Sequence, residues 1–325
     1  MKLPRRQLLH LVVGAAALPA VSRIAWAEAY PTRPVRLIFG FTAGSGGDVI
    51  SRMFSQWLSE RFGQSFIVEN RLGAGSNIAA EAVVNAPADG HTLLVVTSAN
   101  TINATTYENL NFNFVRDIAP VSGMISAPLV MLVSPSLPAE TVPAFIAYAK
   151  ANPGNINMAS SGTGTLPHAS GELLKVMTGI EMLHVPYRGE APALTDLLSG
   201  QVQVYFATLT ASIEHVRAGR LRALAVTSAT RSEALPHIPP LAQFVPGFEA
   251  IAWNGLGAPK GTPAEVIGKL NKEINAALAD PKMKARLAEL GGTALPGSSA
   301  DFGRLIADET EKWAKVIRTA NIKVQ

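Results

Sequence analysis

Val35-Arg36-Leu37-Ile38-Phe39-Gly40-Phe41, followed by Thr42-Ala43-Gly44-Ser45-Gly46-Gly47-Asp48, decides the fold class of this chain. The first seven residues read as a buried strand. Beyond the glycine-rich turn, Val49, Ile50, Met53, Phe54, Trp57, Leu58 and Phe62 recur at helical spacing, and Gly63 stops the helix. Working outward, the unit repeats. Phe66-Ile67-Val68 reads as a strand, residues 77–86 as a helix, and Thr92-Leu93-Leu94-Val95-Val96 as a third strand. Strand alternating with helix argues for an α/β fold, a mainly parallel sheet with helices on both faces.

A second set of such units follows Pro128. Strands are expected at 129–133, 156–159, 182–185, 202–206 and 221–226, with helices between them. Thr141 caps one helix, with Pro143 in its first turn. Residues 230–247 are proline-rich and loop-like, and 251–258 is again strand-like. Three helices close the chain. The first opens at Thr262-Pro263-Ala264-Glu265, a capping box. The second follows Asp280-Pro281. The third starts near Ser298 and buries Phe302, Leu305, Ile306, Trp313 and Ile317. The expected parse is one domain from segments 28–127 and 250–325, with 128–249 inserted as a second.

Composition excludes several classes. The 325 residues hold 48% hydrophobic and 16% charged side chains, which rules out a disordered or coiled-coil chain. There is no cysteine, so disulfides, thiolate nucleophiles and cysteine metal sites are excluded. The net charge of +4 comes from Lys2, Arg5, Arg6 and Arg23, which lie in a stretch without acids. The remainder is neutral, so no basic footprint for nucleic acid or an anionic membrane is left. The six histidines are scattered and no H-E-x-x-H occurs, so neither a metal nor a cofactor is expected.

The same basic stretch reads as an address. Arg5-Arg6 precede an apolar run over residues 8–18, too short to span a bilayer comfortably, and Ala25-Trp26-Ala27 matches a cleavage pattern. Residues 1–27 are therefore expected to be a signal peptide, by the twin-arginine or the ordinary secretory route. That places the mature protein in the periplasm.

Three loops sit where open α/β sheets bind ligands, beyond strand ends and at helix starts. The loop 42–48 can bring backbone N–H groups close to an anion, or can simply be a tight turn. Its spacing is neither a dinucleotide fingerprint nor a P-loop. Ser160-Ser161-Gly162-Thr163-Gly164-Thr165, with His168 after it, supplies neutral donors at a helix start, or an ordinary N-cap. Val185-Pro186-Tyr187-Arg188-Gly189 offers an aromatic wall and a guanidinium, or an exposed arginine on a turn.

Taken in order, these stretches resemble the Bug-type (tripartite tricarboxylate transporter) solute-binding proteins. The resemblance runs from Tyr30-Pro31-Thr32-Arg33-Pro34 through Ala43-Gly44-Ser45-Gly46-Gly47-Asp48, Val68-Glu69-Asn70-Arg71 and Ala88-Asp89-Gly90-His91. It continues through Ala159-Ser160-Ser161-Gly162-Thr163-Gly164-Thr165, His184-Val185-Pro186-Tyr187-Arg188-Gly189 and Ala258-Pro259-Lys260-Gly261-Thr262-Pro263. It implies a type II periplasmic binding fold whose two lobes close on a small carboxylate for a membrane permease, acting as a monomer without cofactor. It further implies a site made of Phe41, Ala43, Gly44, Ser45, Gly46, Gly47, Asp48, Ser98, Asn100, Ser160, Ser161, Thr165 and His168, with Tyr187 and Arg188 at the rim. One departure stands out. The family commonly has Phe-Asp where this chain has Phe206-Ala207, so Ala207 points to a carboxylate ligand without an amino group.

Other readings compete with this one. Ser161 and His168 could form the nucleophile and base of an exported hydrolase, although no G-x-S-x-G elbow surrounds either serine. A ligand sensor without transport, or a scaffold with a vestigial pocket, would share the same fold.

Overall fold

The computed structural model describes residues 30–322. The expected leader and its cut after Ala27 lie outside the described residues. The elements alternate as the apolar patterning requires. In chain order they are β1 Val35–Phe39, α1 Gly46–Phe62, β2 Phe66–Asn70, α2 Asn77–Val84, β3 Thr92–Thr97, α3 Ser98–Thr106 and α4 Phe114–Asp117. Then come β4 Ile118–Val133, α5 Val142–Ala151, β5 Asn157–Ser160, α6 Leu166–Thr178, β6 Leu183–Pro186, α7 Glu190–Ser199, β7 Val204–Thr208, α8 Leu209–Arg217 and β8 Arg222–Val226. The chain closes with β9 Ile251–Pro259, α9 Ala264–Ala279, α10 Pro281–Glu289, β10 Thr293–Ala294 and α11 Ser299–Thr319.

The strands run β2-β1-β3-β9-β4-β7-β5-β6, with β10 and β8 both pairing β4. The outer strands are parallel: β1 lies between β2 and β3, and β5 between β6 and β7. The antiparallel pairs all involve β4 or β9. β4 is the strand that joins the two halves of the molecule. Its residues up to Pro128 pair with β9, and from Leu129 onward it pairs with β7 and β8. Sequence reading started this strand only at 129, after Pro128. Pro120 is accommodated where the register with β9 shifts, and Pro128 sits where the partner changes.

Each half buries apolar residues on both faces of its sheet. Phe39, Phe54, Leu93 and Leu256 lie in one cluster of the first half, and Ile38, Leu94, Trp253 and Phe302 in another. The second half has Met131, Phe145, Met158 and Phe206 on one face and Leu132, Tyr205 and Ala207 on the other. Helix α11 serves both halves. Phe302 and Ile306 belong to a first-half cluster, whereas Trp313 and Ile317 belong to a second-half one.

Capping follows the sequence with one exception. Ser298 and Asp301 form a reciprocal capping box on α11, and Asp280 accepts from two amides of α10. The box expected at Thr262 does not form. The Thr262 hydroxyl donates to the Pro259 carbonyl instead, and α9 starts one residue later than that box requires.

Candidate functional site

A cavity of about 100 Å³ lies where the two halves face one another. Phe39, Phe41, Leu129, Leu166 and Trp253 supply its apolar wall. Its polar rim is built largely from helix starts. Ser45 and Gly47 come from the start of α1, Ser98 from α3, Thr165 from α6, Glu190 from α7 and Thr208 from α8. Ser45, Thr165 and Gly189, which precede α1, α6 and α7, make no side-chain cap bond. Amides at such helix starts, together with the helix dipoles, favour a negative group. Among the described residues, no Lys, Arg or His lines the cavity. A second space of about 600 Å³ shares Phe41, Thr42, Ser161, Thr165 and Gly189 with it, and adds Tyr187 and Arg188.

The first glycine loop is held from behind by Asp48. The residue is 2% exposed, and its carboxylate accepts from Gly44 N–H at 2.9 Å, Asn70 Nδ2 at 2.9 Å and Arg52 Nε at 2.9 Å. Burial pushes its carboxyl up, but these bonds and the Arg52 charge outweigh burial and hold it below the usual carboxylate range. Asp48 therefore shapes the loop and does not line the cavity. Gly44, at φ +79°, takes a turn that other residues adopt only with strain.

The hydroxyl loop rests on a pair of histidines. The Ser160 Oγ lies 2.6 Å from His184 Nε2 and is buried, and Thr165 Oγ1 donates to the Gly162 carbonyl at 2.6 Å. His168 Nδ1 accepts from Gly164 N–H, and its ring stacks on His184 at 3.7 Å between centroids. Thus Ser161 and Thr165 reach the cavity, while Ser160 and His168 lie beneath the loop. The Ser161–His168 nucleophile-base arrangement is not formed, because the His168 acceptor is already used by Gly164.

Burial pushes His168 down to about 3, helped by His184 and Lys175, and pushes His184 down to about 4, helped by Lys175. Glu172, 3.9 Å from His168, is the facing carboxylate. Both folded values lie below the usual 6.5, so the unfolded chain binds more protons between roughly pH 6.5 and the folded values. Stability is then full above about pH 6.5 and falls as pH drops. His168 alone should cost about 2 kcal/mol by pH 5. Thermal melts from pH 7 to 5 should show a falling midpoint, and a flat midpoint would contradict the buried neutral pair.

Four other expected site residues sit elsewhere. Asn100 caps α3 by accepting from the Thr97 amide at 2.9 Å. Ala43 and Gly44 line an outer groove, not the cavity. Ala207 is fully buried in the second-half core, with Ala159 and Leu194. Successive strand residues face opposite ways, so Phe206 and Ala207 enter different core clusters. The argument that Ala207 selects against an amino group loses its geometric premise. Tyr187 also has a structural partner, donating to Asp196 Oδ2 at 2.6 Å.

Sequence reasoning missed Glu190, Thr208, Trp253 and Asn254, all of which line the cavity. Glu190 Oε1 accepts from the Thr208 amide at 3.3 Å, and its carboxylate faces the Gly46 N–H. Burial pushes this carboxyl up, and those bonds oppose the rise. The Trp253 indole N–H is buried without a hydrogen-bond partner among the described residues. Glu190 directly follows the third quoted loop and was one residue from notice. Trp253 and Asn254 lie on a strand whose place between the halves shows only in the pairing.

Two α/β halves around a cleft ringed by helix starts define a solute-binding protein of the type II periplasmic architecture. The family described as the tripartite tricarboxylate transporter family receptor matches residues 50–322, and the chain belongs to it. Protein BugT of Bordetella pertussis is 35% identical over 302 residues, spanning 92% of this chain and 93% of that protein. A UPF0065 protein in the tcbD-tcbE intergenic region of Pseudomonas sp. strain P51 is 37% identical over 292 residues, spanning 89% of this chain and 87% of that protein. Among solved structures, R. palustris Rpa4515 with adipate is 38% identical with TM-score 0.87, covering 90% of this chain and 99% of that one. MatC from Rhodopseudomonas palustris with bound malate is 29% identical with TM-score 0.83, covering 89% of this chain and all of that one.

Proposed function

We propose that the protein captures a small organic carboxylate between its two lobes in the periplasm and delivers it, as a monomer, to a tripartite-type membrane permease. The lobes divide near residues 128 and 250, and the leader is removed after Ala27. One observation carries this reading: the cavity is ringed by five helix starts and, among the described residues, lined by no basic side chain. Such a ring binds a carboxylate through amide and hydroxyl donors while leaving it exchangeable. The adipate and malate bound to the two similar structures support the same ligand class. Phe41, Ser45, Gly47, Ser98, Ser161 and Thr165 provide the first contacts, with Arg188 at the mouth.

Mature protein, stripped of ligand by unfolding and dialysis, should be melted against adipate, malate, succinate, aspartate, adipamide and glucose. A ligand at about 100 times its Kd stabilises by about 2.7 kcal/mol, a shift of several degrees. Shifts from dicarboxylates but not from adipamide or glucose are expected. Shifts from neutral compounds alone would refute carboxylate capture.

A further inference from the structure

Glu190 is the charged side chain of the cavity, and it makes no ion pair among the described residues. Its carboxylate is held by the Thr208 amide instead. Gly46 opens α1 in the first half, Thr208 caps α8 in the second, and Glu190 itself opens α7. One carboxylate thus lies where three helix starts converge, bonded to the Thr208 amide on its own side and facing the Gly46 N–H across the cleft. Close contact on both sides makes the link tight. A Cβ placed on Gly46 would lie 3.1 Å from Thr210 Cβ, and one on Gly189 would lie 3.2 Å from Thr42 Oγ1. Because Ser45 gives α1 no side-chain cap, the Glu190 carboxylate faces a first-turn amide that would otherwise await an external anion.

We propose that Glu190 is a built-in carboxylate latch: it occupies on α1 the seat that a ligand carboxylate takes, joins the lobes when no ligand is present, and is displaced when a dicarboxylate binds. This rests on the carboxylate reading above. The two carboxylates compete for the same donors, and like charges in a cavity without a cation cannot share them cheaply. Measured affinity is then the difference between the ligand and Glu190 on those donors. The residue tunes how tightly the protein holds its ligand and favours solutes with enough reach to fill the seat and still contact the second lobe.

The test compares wild type with Glu190→Gln and Glu190→Ala, all stripped of ligand. Small-angle scattering reads lobe opening, and calorimetry reads succinate and adipate binding. Glu190→Ala should enlarge the radius of gyration of the ligand-free protein and bind dicarboxylates about tenfold more tightly, the effect of removing one competing charged hydrogen-bond set. Glu190→Gln keeps the shape and should fall between. Unchanged scattering, or weaker dicarboxylate binding in both variants, overturns the latch while the carboxylate reading stands on the wild-type titration. Aspartate binding that Glu190→Gln abolishes overturns it in favour of an ammonium contact. If wild type binds no carboxylate at all, the carboxylate reading falls, and the scattering comparison alone decides whether Glu190 joins the lobes.

Discussion

Replacing Trp313 by alanine should lower the unfolding free energy by about 3–5 kcal/mol, the range for a fully buried aromatic cut to a methyl group. Trp313 is 0% exposed and sits in the second-half core with Phe145 and Leu166. Its Nε1 donates to Glu309 Oε2 at 2.8 Å, and the Lys312 ammonium lies 5.3 Å from the ring centroid. The apolar positions 302, 306, 313 and 317 form one stripe along α11. The first two serve the first half and the last two the second. The loss therefore removes core volume and also cuts one of the connections that make the halves unfold together. Urea denaturation should show one transition for wild type and a lower, broadened or divided one for Trp313→Ala. Trp313→Phe, which keeps most of the volume, should recover much of the difference. A wild-type midpoint in Trp313→Ala would contradict the packing of α11 across both halves.

Asp48→Ala should weaken dicarboxylate binding at least about tenfold and cost about 2–3 kcal/mol of stability, since it removes a set of hydrogen bonds that include charged ones. The carboxylate never reaches the cavity, so the effect passes through the loop. Without it, Gly44 N–H loses its acceptor and Arg52 and Asn70 lose the group that holds them together. Arg52 is about half exposed and regains water, which keeps the cost below that of a stranded buried charge. The pH dependence has a definite sign. The folded carboxyl titrates below its unfolded value, so its contribution is present above the ordinary carboxylate range and is lost as pH falls through the folded value. Wild type and Asp48→Ala should therefore differ in midpoint at pH 7 and at pH 5, and converge in strong acid. Equal affinities in calorimetry would show that the loop keeps its shape without Asp48.

The order of elements was legible in the chain because it depends on local patterning. The apolar spacing in 49–62 and the punctuation at Gly63, Asn152-Pro153-Gly154 and Asp280-Pro281 act over one or two turns. Helix α3 escaped notice because Ser98–Thr106 is rich in Ser, Asn and Thr, which read as loop. In the folded protein Asn100, Thr101, Asn103 and Thr106 are buried and bonded: Asn103 Nδ2 donates to the Gly75 carbonyl at 2.6 Å, and Thr101 Oγ1 donates to the Ser98 carbonyl. Tertiary partners make such a polar segment a stable helix. The first half of β4 was hidden in the same way, by prolines that a register shift and a change of partner accommodate.

For the site, local chemistry marked the loops and tertiary contact assigned the roles. The clustered glycines and hydroxyls of 42–48 and 160–165 announced helix starts with spare donors, and both loops do border the cavity. Which atoms face it depends on distances between residues far apart in sequence. Asp48, His168 and Asn100 were all expected at the site, yet each is turned to a neighbour that the chain brings from elsewhere or from a few residues away. Glu190 shows the converse, an unremarkable acid at a helix start that meets Gly46 from the other half. The sequence alone determined the α/β class, the two-part organisation and the absence of cysteine chemistry, since periodicity and composition are properties of the chain. Only the tertiary structure decided which donors converge and which carboxylate already sits among them, because burial and proximity belong to the packed halves together.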